Sequence, residues 1–156
     1  MTNKERNEKI LGATCELLEQ MNFEVTNVFV EDGEGEENQV VVGVTVPNPA
    51  GLIGFKGRNL VAVQLILTLI VKSRLGEWTR ILLDVNDYRT EQKTRLELMT
   101  RNLAEKVKST GTPVSMANMS SYERRICHMI VASVEGVVSE SEGEEEERHI
   151  VIKPAV

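Results

Sequence analysis

An α+β fold follows from three features of the sequence. Apolar residues recur at three- and four-residue steps in several long segments, as they do on amphipathic helices. Short runs rich in β-branched residues stand between them, bounded by Gly, Pro or acidic stretches, as strands are. The segments follow one another in the order helix, strand, strand, short helix, long helix, strand, and then helix, short strand, helix, strand, strand, with no internal repeat.

The first helix is read from Lys4 to Met21, where Ile10, Leu11, Thr14, Leu17, Leu18 and Met21 mark one face. "FEVTNVFVE" (23 to 31) and "QVVVGVTV" (39 to 46) form a hairpin across the polar loop "DGEGEEN". "PNPA" (47 to 50) stops the second strand, because proline donates nothing to a ladder and restricts the residue before it. A helical turn around Leu52 and Ile53 precedes a second long helix from Arg58 to Arg74, striped by Leu60, Val63, Leu67, Ile70 and Val71. "RILLDV" (80 to 85) is a compact strand that ends in "NDY".

A third long helix is read from Thr90 to Ser109, with Leu96, Met99, Leu103 and Val107 at helical spacing. Glu91 with Arg95 and Glu97 with Arg101 form i,i+4 pairs on it, and Gly111 and Pro113 end it. "PVSMA" reads as a short strand. "SSYE" (120 to 123) is a capping box that opens a fourth helix, and "GVVSESEG" and "RHIVIKP" are two final strands around the acidic turn "EGEEEE".

A chain of 156 residues makes one ordinary domain or two small ones. With 41% hydrophobic and 27% charged residues it has the composition of a globular protein with a packed core. The start, "MTNKERNEKI", is charged where a secretory signal would turn apolar, so the chain is expected in the cytoplasm. The longest apolar run, "LVAVQLILTLIV" (60 to 71), is interrupted by Gln64 and Thr68 and falls short of the ~20 residues that span a bilayer. It is expected to be a buried helix rather than a membrane insertion. Cys15 and Cys127 have no CxxC spacing and no histidine cluster beside them, so neither a disulfide framework nor a zinc site is indicated. No metal or cofactor is expected.

The net charge of −6 is unevenly spread. Residues 51 to 130 hold 13 Lys and Arg against 7 Asp and Glu, a local charge of +6, which leaves −12 on the rest of the chain. A basic middle between acidic flanks is what attraction of phosphates requires, since binding depends on the local field. Charge alone leaves a second reading open, in which Lys and Arg merely solvate helix faces.

"GLIGFKGRNL" (51 to 60) places Gly51, Gly54 and Gly57 together, with Lys56 and Arg58 beside them, directly before the apolar helix. Gly54 and Gly57 remove the Cβ atoms that would keep a phosphate backbone from the main chain, and Lys56 adds a positive charge there. The first amides of the following helix face the same point with the positive end of its dipole. Such a loop grips single-stranded nucleic acid without reading bases. A Walker loop is excluded because Gly57-Arg58-Asn59 stands where Gly-Lys-Ser/Thr is needed, and the glycine spacing does not match a dinucleotide fingerprint.

A second constellation lies in "SSYERRICHMIV". Arg124 and His128, four residues apart, share a helix face with Ser121 and Arg125 near it. Tyr122, Ile126, Met129 and Ile130 fall mostly on the other side and are expected to pack inward. The arginine offers a planar fork and the imidazole a hydrogen bond or a stacking surface for nucleic acid, although an exposed charged face with a bystander histidine is equally compatible with these four residues. His128 beside Cys127 is no nucleophile and base, because adjacent helical residues point about 100° apart. Cys127 is expected to pack, and His149 to lie at the surface of an edge strand. The carboxylates gather in 31 to 37 and 135 to 147, where they are solvated rather than arranged for acid/base work. An enzyme is not expected.

The αββααβ order with "IGFKG" between adjacent helices resembles a KH domain of the prokaryotic type. The resemblance implies that Gly54, Phe55, Lys56 and Gly57 form an RNA-clamping loop, with Arg58 beside it, and that Ile53 and residues of the hairpin line a base groove. Relatives usually carry basic residues at both central positions of the loop; Phe55 here either stacks on a base or weakens the hold on phosphate. Arg-x-x-x-His in "RRICH", followed by "SESEGEEEERHIVIKP", is similar to the R-three-H domain, which implies a backbone-binding role for Arg124 and His128.

The two domains in this order, with "DVNDYR", "LAEKV" and "MSSYERRICH", resemble the Jag (SpoIIIJ-associated) family of bacterial RNA-binding proteins. Members usually carry a further N-terminal Jag domain, and the reading here is of a chain without it. The expectation is a KH domain at 1 to 86 joined by the long third helix to an R-three-H domain at 87 to 156. The implied function is non-catalytic binding of single-stranded RNA, or single-stranded DNA. The resemblance further implies post-transcriptional regulation tied to bacterial cell division or envelope growth, and pairing with a small KH-domain protein. The alternative is a protein-interaction module whose glycine loop has lost its RNA affinity.

Overall fold

The computed structural model describes every residue except Gly35 and Glu36, so those two positions of the expected loop at 32 to 38 lie outside the described residues. The chain divides into two compact units, Met1–Arg89 and Thr90–Val156.

In the first unit, helix α1 (Asn3–Gln20) starts at a capping box in which the Glu5 amide donates to Thr2 Oγ1 at 3.2 Å and the Thr2 amide donates to Glu5 Oε2 at 2.8 Å. It buries Ile10, Ala13 and Leu18. Strand β1 (Asn27–Asp32) pairs antiparallel with β2 (Gln39–Thr45), which pairs in parallel with β3 (Arg80–Val85). β1 begins four residues later than its composition suggests. Phe23 and Val25 pack against the core from the connection instead, which satisfies their hydrophobicity without a ladder. β2 is the central strand, and its Val40, Val42 and Val44 are buried with Ile81, Leu83 and Val85 of β3.

The return from β2 to β3 runs through helix α2 (Ala50–Ile53), a tight turn at Phe55–Gly57, and helix α3 (Arg58–Leu75). Leu60, Val63, Leu67 and Val71 of α3 are buried in the core. The expectation of a buried helix holds for that face only. Val61, Leu65, Ile66 and Leu69 are exposed at 60%, 58%, 45% and 51%, because the sheet and α1 cover one side of an 18-residue helix that is apolar on both. By length and composition the stretch Ala50–Leu75 is apolar enough to cross a membrane. It is broken at Gly54–Gly57, where Gly54, Lys56 and Gly57 all have positive φ, and its inner face belongs to the core. The polar residues that interrupt the run have local partners: Thr68 donates to the Gln64 carbonyl, and Gln64 Oε1 accepts from the Leu83 amide and from Arg89.

"DVNDYR" fastens the end of this sheet. The Asn86 side chain accepts from the Val46 amide and donates to the Val46 carbonyl, both at 2.9 Å, from a backbone with φ 52° that asparagine tolerates better than most residues. Arg89 donates to the Leu83 carbonyl and to Gln64.

Helix α4 (Tyr88–Thr110) begins in the first unit, and from Thr90 onward it belongs to the second. There Ala104 and Val107 form a core with Cys127 and Val131 of α5 (Ser121–Ala132) and with a three-stranded sheet. The sheet has the order β4 (Val114–Ser115), β6 (His149–Pro154), β5 (Val137–Glu142), antiparallel throughout. β6 is therefore central rather than an edge. His149 begins it half-buried, and its Nδ1 lies 2.8 Å from the Glu147 carbonyl. Among the described residues the pair within α4 that comes within 4 Å is Lys93 with Glu97, at 3.9 Å, rather than Glu91 with Arg95 or Glu97 with Arg101.

Candidate functional site

The glycine loop is built from conformations that side chains resist. Gly54 has φ 71° and ψ −177°, a region open essentially to glycine alone, and Gly57 is left-handed at φ 76°. Lys56 between them also has positive φ, 53°. Space is short as well as torsion. A Cβ on Gly54 would stand 2.5 Å from Cγ of Asn59, whose amide donates to the Gly51 carbonyl at 2.8 Å. A Cβ on Gly57 would stand 3.1 Å from the ring of Tyr88. Asn59 and Tyr88 thus support the loop from beneath, and neither stood out by residue type or spacing.

Above this support, Phe55 is 71% exposed. Lys56 Nζ and Arg58 Cζ lie 5.6 and 5.7 Å from its ring centroid, so both cations gather over the aromatic face. The phenylalanine does not displace positive charge from the loop; it organises it. Gly57 brings no side chain over the start of α3; its own amide donates to the Gly54 carbonyl at 3.3 Å and the Arg58 amide to the Phe55 carbonyl, which fixes the turn, and the positive end of the helix dipole points at the loop. Ile53 is half-buried against the core, at the end of α2.

In the second unit, α5 opens at the capping box read from "SSYE", with the Glu123 amide donating to Ser120 Oγ at 3.2 Å. Arg124 and His128 lie on one face and are both half-buried. The Arg124 guanidinium donates to the Met119 carbonyl at 2.8 Å, and His128 Nδ1 lies 2.6 Å from Ser139 Oγ on β5. Each keeps further hydrogen-bonding capacity, as guanidinium carries five N–H groups and imidazole a second nitrogen that donates or accepts according to its tautomer. Ser121 is exposed at the start of the helix.

Arg125, also exposed, stands between that face and the opposite flank, where it lines a groove with Tyr122. The inward packing expected there is met by Ile126 but not by Tyr122 and Met129, which are 65% and 64% exposed. The core beneath α5 is already filled by Cys127 and Val131. Cys127 is fully buried beside Thr100, and burial pushes its thiol above the ordinary range, away from a reactive thiolate.

Residues 94–154 match the R-three-H domain family. Over 150 residues the chain is 34% identical to the RNA-binding protein KhpB of Clostridium symbiosum, an alignment covering 94% of this chain and 67% of that protein. It is 27% identical over 144 residues to KhpB of Streptococcus pneumoniae, covering 92% of this chain and 43% of the relative. KhpB of Lactiplantibacillus plantarum is 26% identical over 146 residues, covering 94% and 45%. The chain therefore spans two thirds of one of these relatives and under half of the other two.

Proposed function

We propose, from the premise that the chain belongs to the family of the RNA-binding proteins KhpB, with its R-three-H domain, that it binds single-stranded RNA without catalysis at two places, one in each unit. The first unit is a KH domain of the prokaryotic type and the second, an R-three-H domain, holds the Arg124/His128 face. The observation that carries the reading is the Gly54–Gly57 loop. Its positive-φ glycines, exposed cations and place at the positive end of the α3 dipole support it as a surface for a phosphate chain. Single-stranded DNA carries the same phosphate backbone and fits the same chemistry.

The protein acts in the cytoplasm as a post-transcriptional regulator in cell division or envelope growth. A small KH-domain protein pairs with it. The exposed stripe Val61, Leu65, Ile66 and Leu69 on α3 supports such a partner, because contiguous apolar surface on a helix calls for cover.

The test is binding of a labelled single-stranded RNA across a salt series, comparing the wild type with Lys56→Glu/Arg58→Glu and with Arg124→Ala/His128→Ala. Each phosphate contact contributes about −0.7 to the slope of log K against log salt. Steep wild-type dependence, weakened and flattened in both variants, supports two sites. A folded wild type that binds no RNA at low salt refutes the reading and leaves the α3 stripe, a protein-binding surface, as the function.

A further inference from the structure

The groove on the far flank of α5 is the feature that the two-site reading leaves unused. It measures about 210 Å³ and is lined by Tyr122, Arg125, Ile126, Met129 and Ile130 of α5 and by Lys93 and Glu97 of α4. Its lining joins apolar side chains and an exposed tyrosine with two cations and one carboxylate. Pockets for whole small molecules usually start near 300 Å³, and a groove of this size suits a single flat ring.

Building on the RNA-binding reading above, we propose that this groove is a nucleobase subsite, in which one base of the bound RNA stacks on Tyr122 over Ile126 and Met129 while its flanking phosphates meet Lys93 and Arg125. The charge pattern argues for this occupant. A base has apolar faces for the tyrosine ring and the aliphatic side chains, and its flanking phosphates match the one cation that each of the two lining helices contributes. Arg125 supplies continuity, because it lines this groove and lies on α5 between it and the Arg124/His128 face, so the two surfaces adjoin on one helix.

Glu97 gives the subsite a preference. Its pairing with Lys93 is long, 3.9 Å, and partly exposed, so little holds the carboxylate from another partner. A carboxylate accepts hydrogen bonds from an exocyclic amino group such as cytosine N4, whereas uracil presents a carbonyl oxygen at that position. The subsite therefore takes cytosine in preference to uracil.

The experiment uses ring-labelled tyrosine in the full chain, whose two tyrosines, Tyr88 and Tyr122, give two sets of ring signals. Tyr122→Phe identifies which is which. Addition of a cytidine heptamer shifts the Tyr122 ring protons upfield by base stacking, with a smaller shift for a uridine heptamer. Tyr122→Ala weakens cytidine-heptamer binding by about tenfold, the effect of losing one stacked base, while Tyr122→Phe does not. Glu97→Gln narrows the difference between the two heptamers. If RNA binds and the Tyr122 signals stay still, the groove proposal is overturned and the two-site reading survives. If no RNA binds, both fall. If the Tyr122 signals move with protein concentration in the absence of RNA, the flank is a contact between protein chains and the proposal is overturned.

Discussion

The loop of the first unit and the helix face of the second present positive charge in opposite ways. At Gly54–Gly57 the main chain is the surface, and Lys56 and Arg58 gather over an exposed phenylalanine. On α5 the side chains are the surface, and Arg124 and His128 are each already held by a protein oxygen. A site made of backbone depends on a few torsions and fails completely when one is denied. A site made of anchored side chains fails in proportion to what is removed.

Gly54→Val is the harshest test of that contrast. Valine must take φ 71° and ψ −177° and place its Cβ against Asn59, which costs about 1–3 kcal/mol in backbone strain. Urea denaturation is expected to show that loss, and RNA titration a lower affinity with a shallower salt slope. Lys56→Ala on the same loop leaves stability unchanged and lowers affinity a few-fold, with the slope falling by about 0.7. Equal effects from the two variants would mean that the loop binds through its lysine and not through its main chain.

Arg124→Ala is intermediate. It leaves the Met119 carbonyl without its donor, at about 1 kcal/mol, and removes one fork for phosphate, so affinity is expected to fall about tenfold. Arg124→Lys keeps the charge but not the planar geometry, and should recover only part of the binding. Full recovery by lysine would show that the face works as a point charge and that the hydrogen bond to Met119 positions nothing of consequence.

Much of this contrast was legible in the sequence, for reasons particular to each residue. Gly54 and Gly57 stood out through their context, between a short and a long helix, after two strands and beside Lys56, since glycine at a helix end is by itself common. Capping boxes at Thr2 and Ser120 involve residues three apart, and the second was read directly from "SSYE". Periodicity showed which residues of α3 and α5 are apolar but not how much of each helix its neighbours cover. Val61 and Leu65, and likewise Tyr122 and Met129, were therefore hidden among core residues of the same type. Long-range partners were invisible for a different reason. Nothing local announces that Asn86 clamps Val46 across 40 positions or that Ser139 meets His128. The central place of β6 likewise depends on which strands pair, and the identity of β6 alone does not determine it.

The two cysteines allow the smallest prediction and locate the others. Cys15 lies on α1 and Cys127 on α5, one thiol in each unit. Cys15 is half-buried and is expected to react with a thiol reagent in the native protein, whereas Cys127 reacts only when its unit opens. Gly54→Val should speed labelling of Cys15 and leave Cys127 slow, and Arg124→Ala should do the reverse. The same burial raises the Cys127 thiol in the folded state above its ordinary value of 9.0. Its contribution to stability is then complete below that value and is lost as the pH climbs past it, because the unfolded chain releases the proton first. The urea midpoint of the wild type should drift down above about pH 9, and Cys127→Ala should flatten that drift despite starting lower, since the smaller side chain leaves a cavity. An unchanged drift would assign the alkaline sensitivity to other groups and remove Cys127 as a reporter of the second unit.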